Sequence, residues 1–213
     1  MSHEDRQNER TVQVERPSTR LLKHVCAALA VALVALGTVA ATPALAQCGP
    51  EGGVCDAVPV PCDFVTSGGF VLKNSGKDAN FGAHGGCMGG EFWGHVNYVD
   101  HDNGYHVDSL SITAYLTPQP GSNIRDICGM ATTNNSADPQ PLFFRVRLVD
   151  NGEPGVADLF GISLSNGYSV SLRLLGGGQH GGGNVQLHKP NPSTTAPDPI
   201  PEDAAACNGV AAP

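Results

Sequence analysis

"LFFRVRLVDNGEPGVADLFGISLSNGYSVSLRLL" occupies residues 142–175. In its first segment Phe144, Val146 and Leu148 alternate with Arg145 and Arg147. A two-residue period puts the apolar set on one face of a strand and the guanidinium groups on the other. Phe160, Ile162 and Leu164 repeat the pattern, and Tyr168, Val170, Leu172 and Leu174 repeat it again. Between the segments stand Asn151-Gly152 and Asn166-Gly167, pairs that accept the positive φ of a tight hairpin turn. The stretch reads as three consecutive antiparallel strands.

Working outward, the same texture runs from residue 64 to residue 188. "FVLKN", "EFWGHVNYVD", "YHVDSLSITAYL" and "NVQLHK" alternate clearly, "KDANFGA" and "NIRDICGMAT" more weakly, and Asn103-Gly104 supplies a further turn. No stretch beyond residue 46 has a 3.6-residue apolar period. The expected fold is all-β, an antiparallel sandwich or barrel of eight or nine strands.

The chain's two ends lie outside this pattern. "RLLKHVCAALAVALVALGTVAATPALA" has a basic start, an apolar centre, then Gly37, Pro43 and an A-L-A close, the order of a secretory leader spanning residues 1–46. Residues 47–63 form a cysteine-rich strap, 64–189 the β-domain, and 190–213 a Pro/Ala-rich tail expected to be extended. Removing the leader takes away Arg6, Arg10, Arg16, Arg20 and Lys23 with Glu4, Asp5, Glu9 and Glu15. Seven basic and sixteen acidic side chains remain, a net charge of −9. Such a chain repels phosphate backbones and anionic lipid, so neither nucleic acid nor, after cleavage of the leader, membrane is an expected partner. An unidentified extracellular protein or glycan is.

Six cysteines follow the leader: Cys48, Cys55, Cys62, Cys87, Cys128 and Cys207. An even number in an exported chain predicts three disulfides. Cys87 and Cys128 are the two inside the strand region and are expected to pair. Cys207 is then expected to join Cys48, Cys55 or Cys62.

Two acidic stretches are candidates for chemistry. "NYVDHDNGYHVDS", residues 97–109, reads as a hairpin turn with solvated Asp100, His101 and Asp102. Its chemical alternative gathers His95, His101 and His106 with Asp100 and Asp108 at one hairpin end around a zinc or copper ion. His95 and His101 lie six residues, about 20 Å of strand, apart, so only His106 approaches His101, across the turn. In "VDNGEPGVAD", residues 149–158, Asp150 and Asp158 share the inward parity of their strands and flank one loop. They read either as turn-fixing acceptors of backbone N–H groups or as hard oxygen ligands for calcium. No other cofactor is expected. No G-x-S-x-G, H-E-x-x-H or phosphate-loop pattern is present, so no catalytic residue is assigned. Trp93, Tyr98 and Tyr105 are candidate stacking platforms for a sugar, or packing residues.

Taken together, "GGFVLKNSGKDANFGAHGG", "GHVNYVDHDNGYHVDSLSITAYL", "ICGMATTNN", "FRVRLVDNGEPGVADLFGISLSNGYSVSLRLLGGG" and "GGNVQLHK" resemble the post-COAP domain family. The matching motifs fall at residues 76–82 (with Asp78 inserted), 98–101, 150–155 and 182–188, and the resemblance spans residues 65–189. It implies a small β-domain of a bacterial exported or surface protein and transfers no catalytic residue. The expected function is a non-enzymatic structural or binding module, secreted to the extracellular space, cell surface or periplasm. The alternatives are a metal-dependent hydrolase or oxidoreductase and a carbohydrate-binding module.

Overall fold

The computed structural model describes residues 56–176 and 181–213; the expected leader, Cys48 and Cys55 lie outside the described residues. Nine strands form one antiparallel sheet: β1 (Phe64–Leu72), β2 (Asp78–Met88), β3 (Glu91–Asp100), β4 (Tyr105–Leu116), β5 (Ile124–Thr133), β6 (Leu142–Val149), β7 (Leu159–Leu164), β8 (Ser169–Leu174) and β9 (Gly181–His188). The order β8-β7-β6-β5-β4-β3-β2-β1-β9 is a meander whose last strand returns to its first, so the sheet is a nearly closed barrel. All nine segments read as strands from alternation are strands.

Closure follows from strand direction. Pairing along the meander leaves β8 opposed to β1, and β9 is opposed to β1 as well. The chain therefore runs on from β8 into β9 in the same direction, leaving β7 and joining β1. Across the interior Phe81 of β2 stacks on Phe160 of β7, ring centres 3.9 Å apart, so the curled sheet brings its two halves face to face. Tyr98, Tyr115, Phe144, Ile127, Leu148 and Ile162 fill the rest and are fully buried. Each large apolar side chain so buried is worth roughly 1.5–3 kcal/mol.

Directly paired residues share a face, which sorts the outside of the barrel into a covered half and an open half. On β4, β5 and β6 the outward set includes Ala114, Cys128, Asp126 and Arg145. The N-terminal strap crosses there: Ala57 bridges to Thr117, and Asp56 bonds Arg145 at 2.5 Å. Asp126, fully buried, takes both Arg145 and Arg147. A buried carboxylate needs such full pairing to offset its desolvation. The tail passes the β2–β3 turn, where the N–H groups of Gly89 and Gly90 donate to the Ser193 and Thr195 carbonyls. Its 3-10 segment, Glu202–Gly209, then packs on β4, β5 and β6 with Ala204 and Cys207 buried.

The disulfides correct the sequence expectation. Cys87 bonds Cys62 and Cys128 bonds Cys207. Cys87 shares the inward parity of Phe81 and Ala83 on β2, whereas Cys128 stands opposite the outward Arg145. The two strand cysteines face opposite sides of the sheet and cannot meet. The tail is likewise not extended throughout: its small residues let the 3-10 segment lie flush on the sheet. On β8 the expected burial of Leu172 and Leu174 gives way to a bulge that brings Arg173 opposite Phe160, and Leu175 is the fully buried residue.

Candidate functional site

The open half of the barrel is the outer face of β9, β1, β2 and β3. Register sets its rows. Phe64 stands between His188 on β9 and Gly86 on β2, and Gly86 stands opposite Trp93 on β3. One step along, Gln186, Thr66, His84 and His95 are aligned, and the next row runs Asn184, Gly68, Gly82, Asn97 and Asp108. Gly86 cannot carry a side chain: a Cβ there would lie 2.4 Å from that of Phe64.

The side chains form a continuous chain of rings. His188 stacks flat on Phe64 at 4.3 Å and hydrogen-bonds Thr66 Oγ1 through Nε2 at 2.9 Å. Phe64 is 6.1 Å from Trp93, Trp93 is 5.6 Å from His84, and His84 is 6.3 Å from His95. Trp93 Nε1 is buried with no hydrogen-bond partner among the described residues. His95 ends the chain, with Nδ1 3.1 Å from Ser109 Oγ and Nε2 3.3 Å from Asp108 Oδ1. Burial first, and then the neighbouring His95, hold the His84 imidazole below its ordinary pKa.

Asp108, His95 and Ser109 are the three group types of a hydrolytic relay. Ser109 Oγ is committed elsewhere, because it accepts the Val96 N–H at 2.9 Å where the β3–β4 ladder ends. His95 and Asp108 are both open to solvent, with side chains 48% and 61% exposed. A nucleophile serving the sheet ladder, beside an acid and base in open water, lacks the dry, preorganised surroundings that acyl transfer needs.

The expected site residues fall elsewhere. Asp150 and Asp158 lie at the barrel seam, where the β6–β7 loop covers the edge of β9. Asp158 accepts the N–H of Asn151 (2.8 Å) and of Val185 (2.7 Å), while Asp150 accepts those of Gly152 (2.9 Å) and Leu187 (2.7 Å). All four carboxylate oxygens thus accept backbone N–H groups. His101 sits exposed in the β3–β4 turn, its N–H donating to Asp78 O, and His106 is exposed on β4 opposite Val99. Among the described residues no three His, Cys, Asp or Glu side chains stand together at metal-ligating distances.

Asp100, read as a solvated turn group, is fully buried. It binds Lys73 at 2.6 Å and accepts Tyr168 Oη at 2.6 Å and the Asp102 N–H at 2.9 Å. Burial alone pushes its pKa up, but the Lys73 and Tyr168 hydrogen bonds bring it below the usual carboxylate value. Tyr98 is not a stacking platform. It is fully buried, bonded to Tyr168 Oη at 2.9 Å, and burial pushes its phenol up to about 12. Tyr105 is half-buried and donates to Asp138 at 2.5 Å, leaving Trp93 on the open face.

Sequence reading missed His84, Phe64 and His188 as a group with Trp93. Alternation alone puts His84 and His95 on outward faces, but only the β2–β3 register makes them opposite. No protein-family model, curated protein or solved structure matches the chain. Among the described residues two disulfides are present and no helix is long and apolar enough to cross a membrane.

Proposed function

We propose that this chain is an exported, non-enzymatic binding module whose working surface is the open face of β9, β1, β2 and β3. The observation that carries the reading is the asymmetry of the barrel's exterior. Strap and tail cover one half, locked there by Cys128–Cys207 and by Asp56–Arg145, while the other half carries a run of half-buried rings that neither strap nor tail covers. Buried charges serve the fold: Asp63 grips Arg125, Asp126 grips two arginines, and Asp158 grips strand edges. The leader, the paired cysteines and the motifs resembling post-COAP domains support a destination outside the cytoplasm.

Aromatic planes beside Thr66, Gln186 and Asn97 suit a partner with flat apolar faces and neutral hydrogen-bonding edges. A glycan has that chemistry, and a polyanion is disfavoured by the acidic chain. The test is a binding screen on neutral glycan arrays with the purified protein and its Phe64→Ala and Trp93→Ala variants. Binding by the native chain, lost in both variants, is the expected result. Binding that both variants retain, or none at all, overturns the glycan-binding face. Secretion is tested separately by expression with the leader in a bacterial host. Recovery from outside the cytoplasm with Gln47 as the first residue is expected, and full-length retention inside overturns export.

A further inference from the structure

We propose that the paired glycines Gly68 and Gly82 are the floor of the ligand's seat on the open face, where one sugar ring of a neutral oligosaccharide lies directly on the main chain. The inference rests on the glycan-binding reading of this face and locates the ligand within it.

These two are the exception among the glycines of the nine strands. At every other strand glycine a Cβ would come within 3.1 Å of a neighbouring atom, as at Gly86, Gly94 and Gly129, so packing excludes a side chain there. At Gly68 the nearest atom is Phe81 O at 3.9 Å, and at Gly82 nothing lies within 4 Å. Neither residue has a positive φ. A glycine inside a strand is less stable than an alanine, because its backbone loses more freedom on folding. Neither contact nor conformation requires glycine here, yet the two stand directly opposite each other on β1 and β2. A strand glycine that packing does not explain marks close approach of another molecule to the backbone.

The surroundings suit a sugar. One row toward the rings stand Thr66, His84 and Gln186, one row the other way Phe70 and Asn80, and Asn97 borders Gly82 on β3. Rows on one face are about 7 Å apart along a strand, so the two flanking rows leave room for one ring in van der Waals contact with the floor. Phe70 leans over Gly182, where a Cβ would lie 2.7 Å from its ring, and forms an apolar wall. Thr66, Asn80, Asn97 and Gln186 offer uncharged donors and acceptors to sugar hydroxyls. Phe64 is four residues along β1 from Gly68, about 13 Å, so one oligosaccharide reaches both the rings and the floor. At the ring end Trp93 Nε1 is buried with no hydrogen-bond partner among the described residues, an independent sign that a partner completes this face.

The test sets stability against binding. Gly68→Ala, Gly82→Ala and, as a control, Gly86→Ala are prepared with disulfides intact and melted by circular dichroism. The first two are expected to match the native protein or to melt about 1–4 °C higher, and Gly86→Ala to melt lower. An oligosaccharide that the native chain binds on the neutral glycan array is then titrated into each variant. Gly68→Ala and Gly82→Ala are expected to bind it at least tenfold more weakly, because each methyl group lifts the ring off the main chain. If these two variants melt below the native protein, the barrel's curvature requires the glycines, and the floor is overturned whatever the array gives. If they are stable and bind as the native chain does, the floor is overturned while the reading of Phe64 and Trp93 stands. A native chain that binds no oligosaccharide removes that reading and the floor with it.

Discussion

Asp158 accepts the main-chain N–H of Val185 at 2.7 Å, and through this bond the β6–β7 loop covers the edge of β9 that β8 leaves unpaired. Its other oxygen holds the Asn151 N–H. Asp158→Ala strands two backbone donors, one of them buried, and is expected to cost about 2–4 kcal/mol in urea unfolding. Asp158→Asn, which keeps one carbonyl acceptor, is expected to lose less. Because the four oxygens of Asp150 and Asp158 are taken by backbone, melting curves in calcium and in excess chelator are expected to coincide. A calcium-dependent rise that Asp158→Ala removes would show instead that the pair holds the ion.

Gly155 lies in the same loop with φ at +79°, and a Cβ there would meet Asn184 Oδ1 at 2.2 Å and Gly183 O at 2.9 Å. Gly155→Ala therefore meets both backbone strain and a clash against β9. The expected loss is about 1–3 kcal/mol. Gly152→Ala, with φ at +95° and open space around it, carries strain alone and is expected to lose less. Equal losses would count against a tight seam.

Peptide mapping of the oxidised protein is expected to join Cys62 with Cys87 and Cys128 with Cys207, and never Cys87 with Cys128. The second bridge closes 79 residues of chain and the first 25. Chain-entropy reasoning assigns them about 4.5 and 3.5 kcal/mol respectively. Removal of the longer bridge by paired Cys128→Ser and Cys207→Ser substitutions is expected to lower the melting temperature more. It also frees the tail, which protease sensitivity near residue 200 reports. A tail that stays resistant would show that packing, rather than the bridge, holds it.

Asp100 has a folded-state pKa below its ordinary value, because the Lys73 and Tyr168 hydrogen bonds outweigh the opposing effect of burial. Its contribution to stability is complete above the unfolded value near 3.8 and is lost as pH falls through the lower folded value. Stability measured against pH is expected to fall below about pH 4. Asp100→Asn is expected to be less stable at neutral pH with a shallower acid limb. Tyr168→Phe removes one donor and is expected to raise the Asp100 pKa, readable by NMR titration of the carboxyl carbon. An unchanged pKa would remove the phenol from the account.

Much of the fold was legible because strand alternation is a local property. Phe144, Val146 and Leu148 against Arg145 and Arg147 declare a strand without reference to any other part of the chain. Asn103-Gly104 and Asn166-Gly167 declare two turns in the same way, and the even number of cysteines beyond residue 46 announced disulfides. Parity also brought Asp150 and Asp158 to the same end of two neighbouring strands, while leaving open whether they hold backbone or an ion.

Tertiary structure decided everything that depends on register and closure. Cys87 and Cys128 are the two cysteines of the strand region, yet they occupy opposite faces of the sheet, and only the crossing of strap and tail supplies Cys62 and Cys207. Asp100 looked like a turn group until Lys73 of the β1–β2 hairpin and Tyr168 of the β7–β8 hairpin closed over it. Tyr98 read equally as a stacking platform or a packing residue until β7 came round to place Phe160 beside it. His84 and His95 are eleven residues apart in the chain and opposite one another in the sheet. The physical reason is common to all four. A strand's sequence states which side chains share a face, whereas which faces meet is set by long-range pairing, and no single segment contains that information.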